Sequence, residues 1–300
     1  SEDLLVPGYL EMPIKKGESI IFTASLREKE PALLKPLMEE EMAKAAPHDS
    51  LYHCLVHAAH QFRVQKEGEE YILAGYPWFK SRARDLFISL PGLTLSIGET
   101  EAFETYMNTA EKALRNLINN EPISVDIHEM EQPDTVLWAI WCIQQYGKYV
   151  GRPKCYEKYG ALLKDLVKYL MNGGHSNLFL HDNGLLYSNG RDKAVTWMNS
   201  TANGRPVIPR TGYVVEINAL WYNARLFTAD IQRQLGKEQI ADLMEYQAEI
   251  TKDSFIKTFW NGVYLDDYVD GDYHNNEVRP NQIIAASLPY SPLDRRQCKA

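Results

Sequence analysis

The chain has 300 residues, 45% of them hydrophobic and 24% charged, with a formal net charge of -8. That length and apolar content suffice for one large domain or two medium ones and exclude disorder as the default. The acidic balance excludes nucleic acid and anionic membrane as main partners, because either selects a basic face; a neutral polar ligand stays compatible.

At the N-terminus, Gly8–Ile14 and Ser19–Ser25 read as short strands around a Lys15-Lys16-Gly17 turn, too little for a sheet that stands alone. Residues 1–28 are therefore expected to be the β remnant of a preceding domain or linker, and 29–300 a helical domain. From Pro31 the apolar period turns helical: Leu33, Leu34 and Leu37 lead one helix, and Leu51, Leu55 and Val56 lead a second, capped by Asp49 or Ser50. Further helices are predicted over 84–90, 99–119, 134–149, 154–171, 215–234 and 238–260, with a last one from Asn281. The clearest stripe is Leu162, Leu163, Leu166, Val167 and Leu170.

Two stretches interrupt the helices. Residues 172–192 contain Asn183-Gly184 between apolar pairs, a β-hairpin signal, and 196–213 carry Trp197-Met198-Asn199 and the Pro206 and Pro209 turns. Long loops with this many aromatics are expected to be functional rather than disordered. Helices of ordinary length paired in series suit an α/α toroid, and an irregular helical bundle fits the same pattern. Four dispersed cysteines without a C-x-x-C pair read as reduced, buried thiols. Neither a signal peptide nor an apolar run of roughly 20 residues is visible, so a soluble, cytoplasmic chain is expected. The glycines form no dinucleotide or phosphate loop, so no cofactor is indicated. His53, His57 and His60 share a helical face, but they lack the companions of a zinc site and read as a packed or surface row.

From Ala74-Gly75-Tyr76-Pro77-Trp78-Phe79 onward the chain resembles the amylo-α-1,6-glucosidase domain of glycogen debranching enzymes. Arg84-Asp85 with Phe87–Leu93 is similar to that family's G-R-D-T-F-I-A-L-P-G-L run, and Asp134-Thr135-Val136-Leu137-Trp138 to D-A-x-L-W. Thr196–Asn199, Pro209-Arg210 and Val215–Ala224 resemble T-W-M-D, P-R and V-E-I-N-A-L-W-Y-N-A, and Arg279–Gln282 completes the ordered series over residues 10–290.

The resemblance implies a mainly α fold, an α/α toroid of the six-hairpin type. It is expected to be incomplete here, with the remaining helices and part of the active site beyond Ala300. The implied activity is inverting, exo-acting hydrolysis of α-1,6-linked glucose at glycogen branch points, with glycogen or an α-glucan oligosaccharide as partner. Inversion needs a carboxylic acid and a second, water-activating carboxylate about 6.5–9.5 Å apart. The family's acid is expected at the Asp of T-W-M-D, where this chain has Asn199, an amide that keeps the shape of Asp but cannot act as the acid. Glu216 and Asp85 are the alternative catalytic candidates; their plain structural readings are a first-turn acid on its helix and an ion pair with Arg84 or Arg82. Arg82-Ala83 also departs from the family's Trp-Gly.

Trp78, Trp197 and Trp221 are candidate sugar platforms, Trp221 equally a core residue. Arg84, Asp134, Arg210, Asn223, Arg279 and Asn281 can bond hydroxyl groups, or tie loops and helix starts together. Arg84, Asp85, Trp197, Asn199, Arg210 and Glu216 are expected to share one pocket. Two further functions stay open: a catalytically silent α-glucan-binding domain, and another toroid glycosidase of trehalase-like or glucoamylase-like type.

Overall fold

The computed structural model describes residues 8–25, 27–45, 47–76 and 78–299. Ser1–Pro7, the start of the expected strand remnant, lie outside them, as do Leu26, Ala46, Pro77 and Ala300. The chain divides into two compact units, Ser1–His57 and Ala58–Ala300.

In the first unit the strands expected over 8–25 do not form; these residues are almost all exposed and turn once at Lys16-Gly17. Two short apolar runs facing water on both sides have no ladder to join, which is reason enough. Helix α1 (Leu34–Lys44) follows a 3-10 turn that opens on Pro31, and it buries none of its residues. Helix α2 (Leu51–Gln61), whose residues from Ala58 on belong to the second unit, is capped by Ser50, whose Oγ accepts the His53 N–H at 3.1 Å. The leucines expected to face a core, Leu33, Leu37, Leu51 and Leu55, are exposed.

The second unit opens with a hairpin that periodicity does not reveal, β1 (Arg63–Lys66) paired with β2 (Glu69–Ile72). Its two-residue turn, Glu67-Gly68, has positive φ at both positions, the hand that suits the twist of a hairpin. Then come α3 (Ala83–Leu93), α4 (Thr100–Ile118), α5 (Thr135–Val150) and α6 (Arg152–Met171). After the loop strands β3 (Phe179–Leu180), β4 (Leu186–Ser188), β5 (Thr201–Ala202), β6 (Arg205–Pro206) and β7 (Gly212–Val214) follow α7 (Val215–Gln234) and α8 (Glu238–Phe259). β8 (Tyr268–Asp270), β9 (Tyr273–Asn275) and α9 (Asn281–Ser287) close the order. The domain is mainly helical, and most predicted helices fall within a few residues of their expected bounds.

Helices α5 and α7 are the central pair. α5 packs on α3, α4, α6 and α7, and α7 on α5, α6, α8 and α9. Their sequences dictate this: Val136, Leu137, Ile140, Ile143 and Tyr146 surround α5, and Ile217, Leu220, Trp221, Ala224 and Phe227 run along α7, all buried. A helix apolar over most of its circumference must be covered on most sides, and each such side chain stabilises the fold by about 1.5–3 kcal/mol when fully buried.

The interrupting stretches are partly strand. The Asn183-Gly184 hairpin forms as expected between β3 and β4, with Gly184 at positive φ. An antiparallel sheet of order β3-β4-β7-β8-β9 then joins this hairpin to the segment after α8. Gly212 makes the β7–β8 approach possible: at φ 110°, a Cβ there would lie 2.1 Å from the Val269 carbonyl oxygen. All four cysteines are free; Cys142 and Cys155 are buried, whereas Cys54 and Cys298 are exposed, against expectation.

His175 anchors the start of the first interrupting loop. Its Nδ1 accepts the Asn177 N–H at 2.9 Å and its Nε2 lies 3.0 Å from the Glu131 carbonyl, so the neutral Nε2–H tautomer fits both bonds. Burial pushes its pKa below 6.5. The unfolded chain therefore takes up the proton first as pH falls, and stability present above pH 6.5 declines below it. Urea unfolding at pH 7.5 and 5.5 (values about one unit either side of the free imidazole) is expected to show this loss, and His175→Gln to reduce the difference.

Candidate active site

Strand β7 runs directly into α7, so the first turn of α7 lies against the β8 edge: the Val215 N–H donates to the Asp267 carbonyl at 3.1 Å. Two short elements thereby bring Arg210, Glu216 and Asp267 together. The Arg210 guanidinium is 2% exposed and grips Glu216 in a fork, Nη1 to Oε1 at 2.5 Å and Nη2 to Oε2 at 2.6 Å. Nη2 also donates to Asp267 Oδ1 at 2.7 Å, and Nη1 to Thr196 Oγ1 at 3.0 Å. Glycine at 190 is required alongside, since a Cβ there would meet the Arg210 carbonyl oxygen at 2.2 Å.

The network continues through Asp267. Its Oδ1 accepts from Asn281 Nδ2 and its Oδ2 from Arg279 Nη1, each at 2.7 Å. Arg279 also donates to Asn275 Oδ1 at 2.7 Å and bonds Glu277. Asn281, buried at the start of α9, returns to the loop by accepting the Trp197 indole N–H at 2.8 Å and contacting Met198 Sδ at 3.3 Å. Two cations and two buried anions balance here. Burial by itself would lower the Arg210 pKa, but attraction and hydrogen bonds from Glu216 and then Asp267 raise it above the ordinary guanidinium range.

What this buried network presents outward is the segment Trp197–Asn199. The Trp197 ring is 46% exposed while its N–H is held by Asn281, so its orientation is set before any ligand arrives. Asn199 is exposed beside it, its backbone N–H on the Trp197 carbonyl at 2.9 Å. The Asn199 side chain makes no hydrogen bond among the described residues.

Among the described residues, the other candidates are not hydrogen-bonded to this network. Arg84 and Asp134 form a second buried pair between α3 and the start of α5: Nε to Oδ2 at 2.7 Å and Nη2 to Oδ1 at 2.8 Å. Trp138 Nε1 donates to the same carboxylate at 3.2 Å. Burial lowers the Arg84 pKa and Asp134 more than offsets it. Among the described residues no hydrogen bond or ion pair joins this pair to the Arg210 network. Asp85 is exposed on the first turn of α3 and pairs with neither Arg84 nor Arg82, which faces Glu129 at 3.7 Å. Trp78 is 75% exposed in the turn after β2. Trp221 needs correction as a sugar platform: it is 0% exposed, donates to the Gly184 carbonyl at 3.2 Å and carries Arg225 at 4.6 Å from its ring centroid. No face is left for a sugar. Asn223 is likewise spent within the fold, donating to Gln144 Oε1 at 2.9 Å and accepting the Tyr290 N–H at 3.2 Å.

Asp267, the residue on which the network turns, is not singled out by the sequence reading. The available signal is an acidic pair, Asp266-Asp267, set between apolar Leu265 and Tyr268-Val269. Charge inside an apolar strand pattern calls for a buried partner.

Fold and network together define a mainly helical domain in which a buried guanidinium–carboxylate cluster supports a loop-built polar surface. The family model described as amylo-alpha-1,6-glucosidase matches residues 56–300, and the chain belongs to that family. Membership marks a glycosidase-type domain and points to a carbohydrate substrate. No curated protein matches the chain. Among the described residues, no helix is long and apolar enough to cross a membrane.

Proposed function

We propose that this domain binds glucose units of glycogen or another α-glucan on the surface formed by Trp197–Asn199. We read it as the recognition scaffold of an inverting, exo-acting α-1,6-glucosidase for branch-point glucose. The observation that carries the reading is the half-exposed Trp197 ring, held by Asn281 and flanked by an exposed amide. In the same reading α3, α5, α7 and α9 are the inner helices, and α4, α6 and α8 the outer helices, of an α/α toroid. Contacts of α5 with α3 and α7, and of α7 with α9, support that arrangement. Two buried free thiols suit a reducing, cytoplasmic setting.

The chemistry follows from exposure. Glu216, Asp267 and Asp134 are all buried and held by guanidinium groups, so none meets substrate or water in this reading. They hold loops and helix starts in place. A general acid must touch the leaving oxygen, and Asn199 can orient a hydroxyl there but cannot supply the proton. The domain therefore binds glucan while its hydrolysis is suppressed at the acid step. A second reading, with Asp85 as the acid of a working enzyme, is favoured by the exposure of Asp85 alone.

Titration with maltoheptaose, followed by the indole ¹⁵N–H resonances, tests the binding site. The Trp197 signal is expected to shift saturably while that of buried Trp138 stays in place. Trp197→Ala should weaken binding about 10- to 100-fold, the equivalent of about 1.5–3 kcal/mol of apolar burial. Binding that leaves the Trp197 resonance unmoved would place the sugar elsewhere.

A further inference from the structure

Away from the Trp197 surface, α6, α7 and α8 enclose a groove of about 360 Å³. Val167, Met171, Ile240, Leu243 and Met244 give it an apolar lining, and Lys164, Lys168 and Lys237 contribute the ammonium groups. The lining is open to solvent, with Ile240 49% and Leu243 57% exposed. Among the described residues none of the three lysines has a carboxylate within ion-pair distance. The neighbouring acids are already engaged: Glu238, Asp242 and Glu245 of α8 all converge on Arg233, and Asp165 of α6 faces Arg115. A cluster of uncompensated cations on a chain of net charge -8 is a local reversal of sign beside exposed apolar surface.

We infer that this groove docks an amphipathic helix of a partner polypeptide that carries acidic residues beside its apolar stripe. Length and charge together favour that occupant. The exposed apolar stripe on α8 runs from Ile240 through Leu243 to Ile250, about 15 Å of helix, and so extends past the enclosed volume. Lys164 and Lys168 stand one turn apart on α6 and match carboxylates spaced i, i+4 on a helix lying alongside. A compact ligand would use the volume without the stripe.

The probe is a fluorescein-labelled helical peptide of about 14 residues with Leu at i, i+3, i+4 and i+7 and Glu on the flanks, measured by anisotropy. Its counterpart carries Lys in place of Glu. The acidic peptide is expected to bind saturably below about 1 mM, and to weaken as ionic strength rises from about 0.05 to 0.5 M. The triple variant Lys164→Glu, Lys168→Glu, Lys237→Glu should lose at least about fivefold in affinity for it and gain affinity for the basic peptide. These side chains are exposed, so folding is retained; Leu243→Asp supplies an independent loss through the apolar anchor. Equal binding of both peptides, indifference to the triple variant, or no binding at that limit would overturn the inference. Saturable binding of decanoate, measured by calorimetry, without peptide binding would reassign the groove to a small amphiphile. Sedimentation as a dimer that the triple variant dissociates would reassign it to a second copy of this chain.

Discussion

Arg210→Met is expected to lower the stability of the domain by about 3–5 kcal/mol, the cost of leaving a buried charge without its partner. Glu216 is fully buried and both its oxygens rest on this guanidinium, so nothing else described can take its charge. Asp267 is better insured, because Arg279 and Asn281 remain on it. The loop suffers as well, since Arg210 Nη1 is the donor to Thr196 next to Trp197. For a domain of this size the loss corresponds to a fall in Tm of about 6–10 °C. Urea unfolding followed by circular dichroism measures it, with Arg210→Met/Glu216→Leu as the second arm. Removing both charges should recover much of the loss, because the penalty arises from the uncompensated anion more than from the missing bond. If Arg210→Met fails to fold, Glu216→Gln provides a milder break in the same pair. A cost below about 1 kcal/mol would mean that the pair behaves as a surface ion pair.

The helical body is legible in the sequence because burial writes a period of 3.6 into it: the Leu162–Leu170 stripe and the apolar circumference of α5 and α7 identify themselves. The Asn183-Gly184 hairpin is legible for a different reason, since so few dipeptides adopt its turn. The β1–β2 hairpin is not, because Arg63–Lys66 and Glu69–Ile72 are rich in long charged residues and their turn is Glu-Gly. The first unit misleads in the other direction. Its leucines and apolar runs promise burial, and the structure leaves them exposed.

In the candidate site, motif membership brings Trp197, Arg210, Glu216, Arg279 and Asn281 to notice, and all five lie in one hydrogen-bonded network. Motifs do not say which way a side chain points. Trp221 and Asn223 stand in the same run of residues as Glu216, yet they face the interior of α7's packing. Nor do motifs announce the partner that a buried arginine needs, which is why Asp267 is found only in three dimensions.

Asn199→Asp, made in the full-length chain, is the second large effect. A positioned general acid contributes about 10²–10⁴-fold in rate, and an amide contributes none of it because it has no proton to give and regain. The change preserves shape and sits at an exposed position, so folding should be little affected. The pH dependence follows from the carboxyl group. An exposed Asp has a pKa of about 4 and is largely ionised at neutral pH, so acid catalysis by the variant should strengthen as pH falls from about 7 toward 5. Sugar affinity should change little, because the Trp197 platform is untouched.

Glucose release from a phosphorylase-type limit dextrin, measured side by side for the full-length chain with Asn199 and for its Asn199→Asp variant at equal maltoheptaose affinity, tests the central claim most directly. The Asn199 chain is predicted to release glucose no faster than the blank, and the variant to exceed it by about 10²–10⁴-fold. Rapid hydrolysis by the Asn199 chain, undiminished relative to the variant, would contradict the account: another residue would then be the acid, and Trp197–Asn199 would not be where the glycosidic bond is broken.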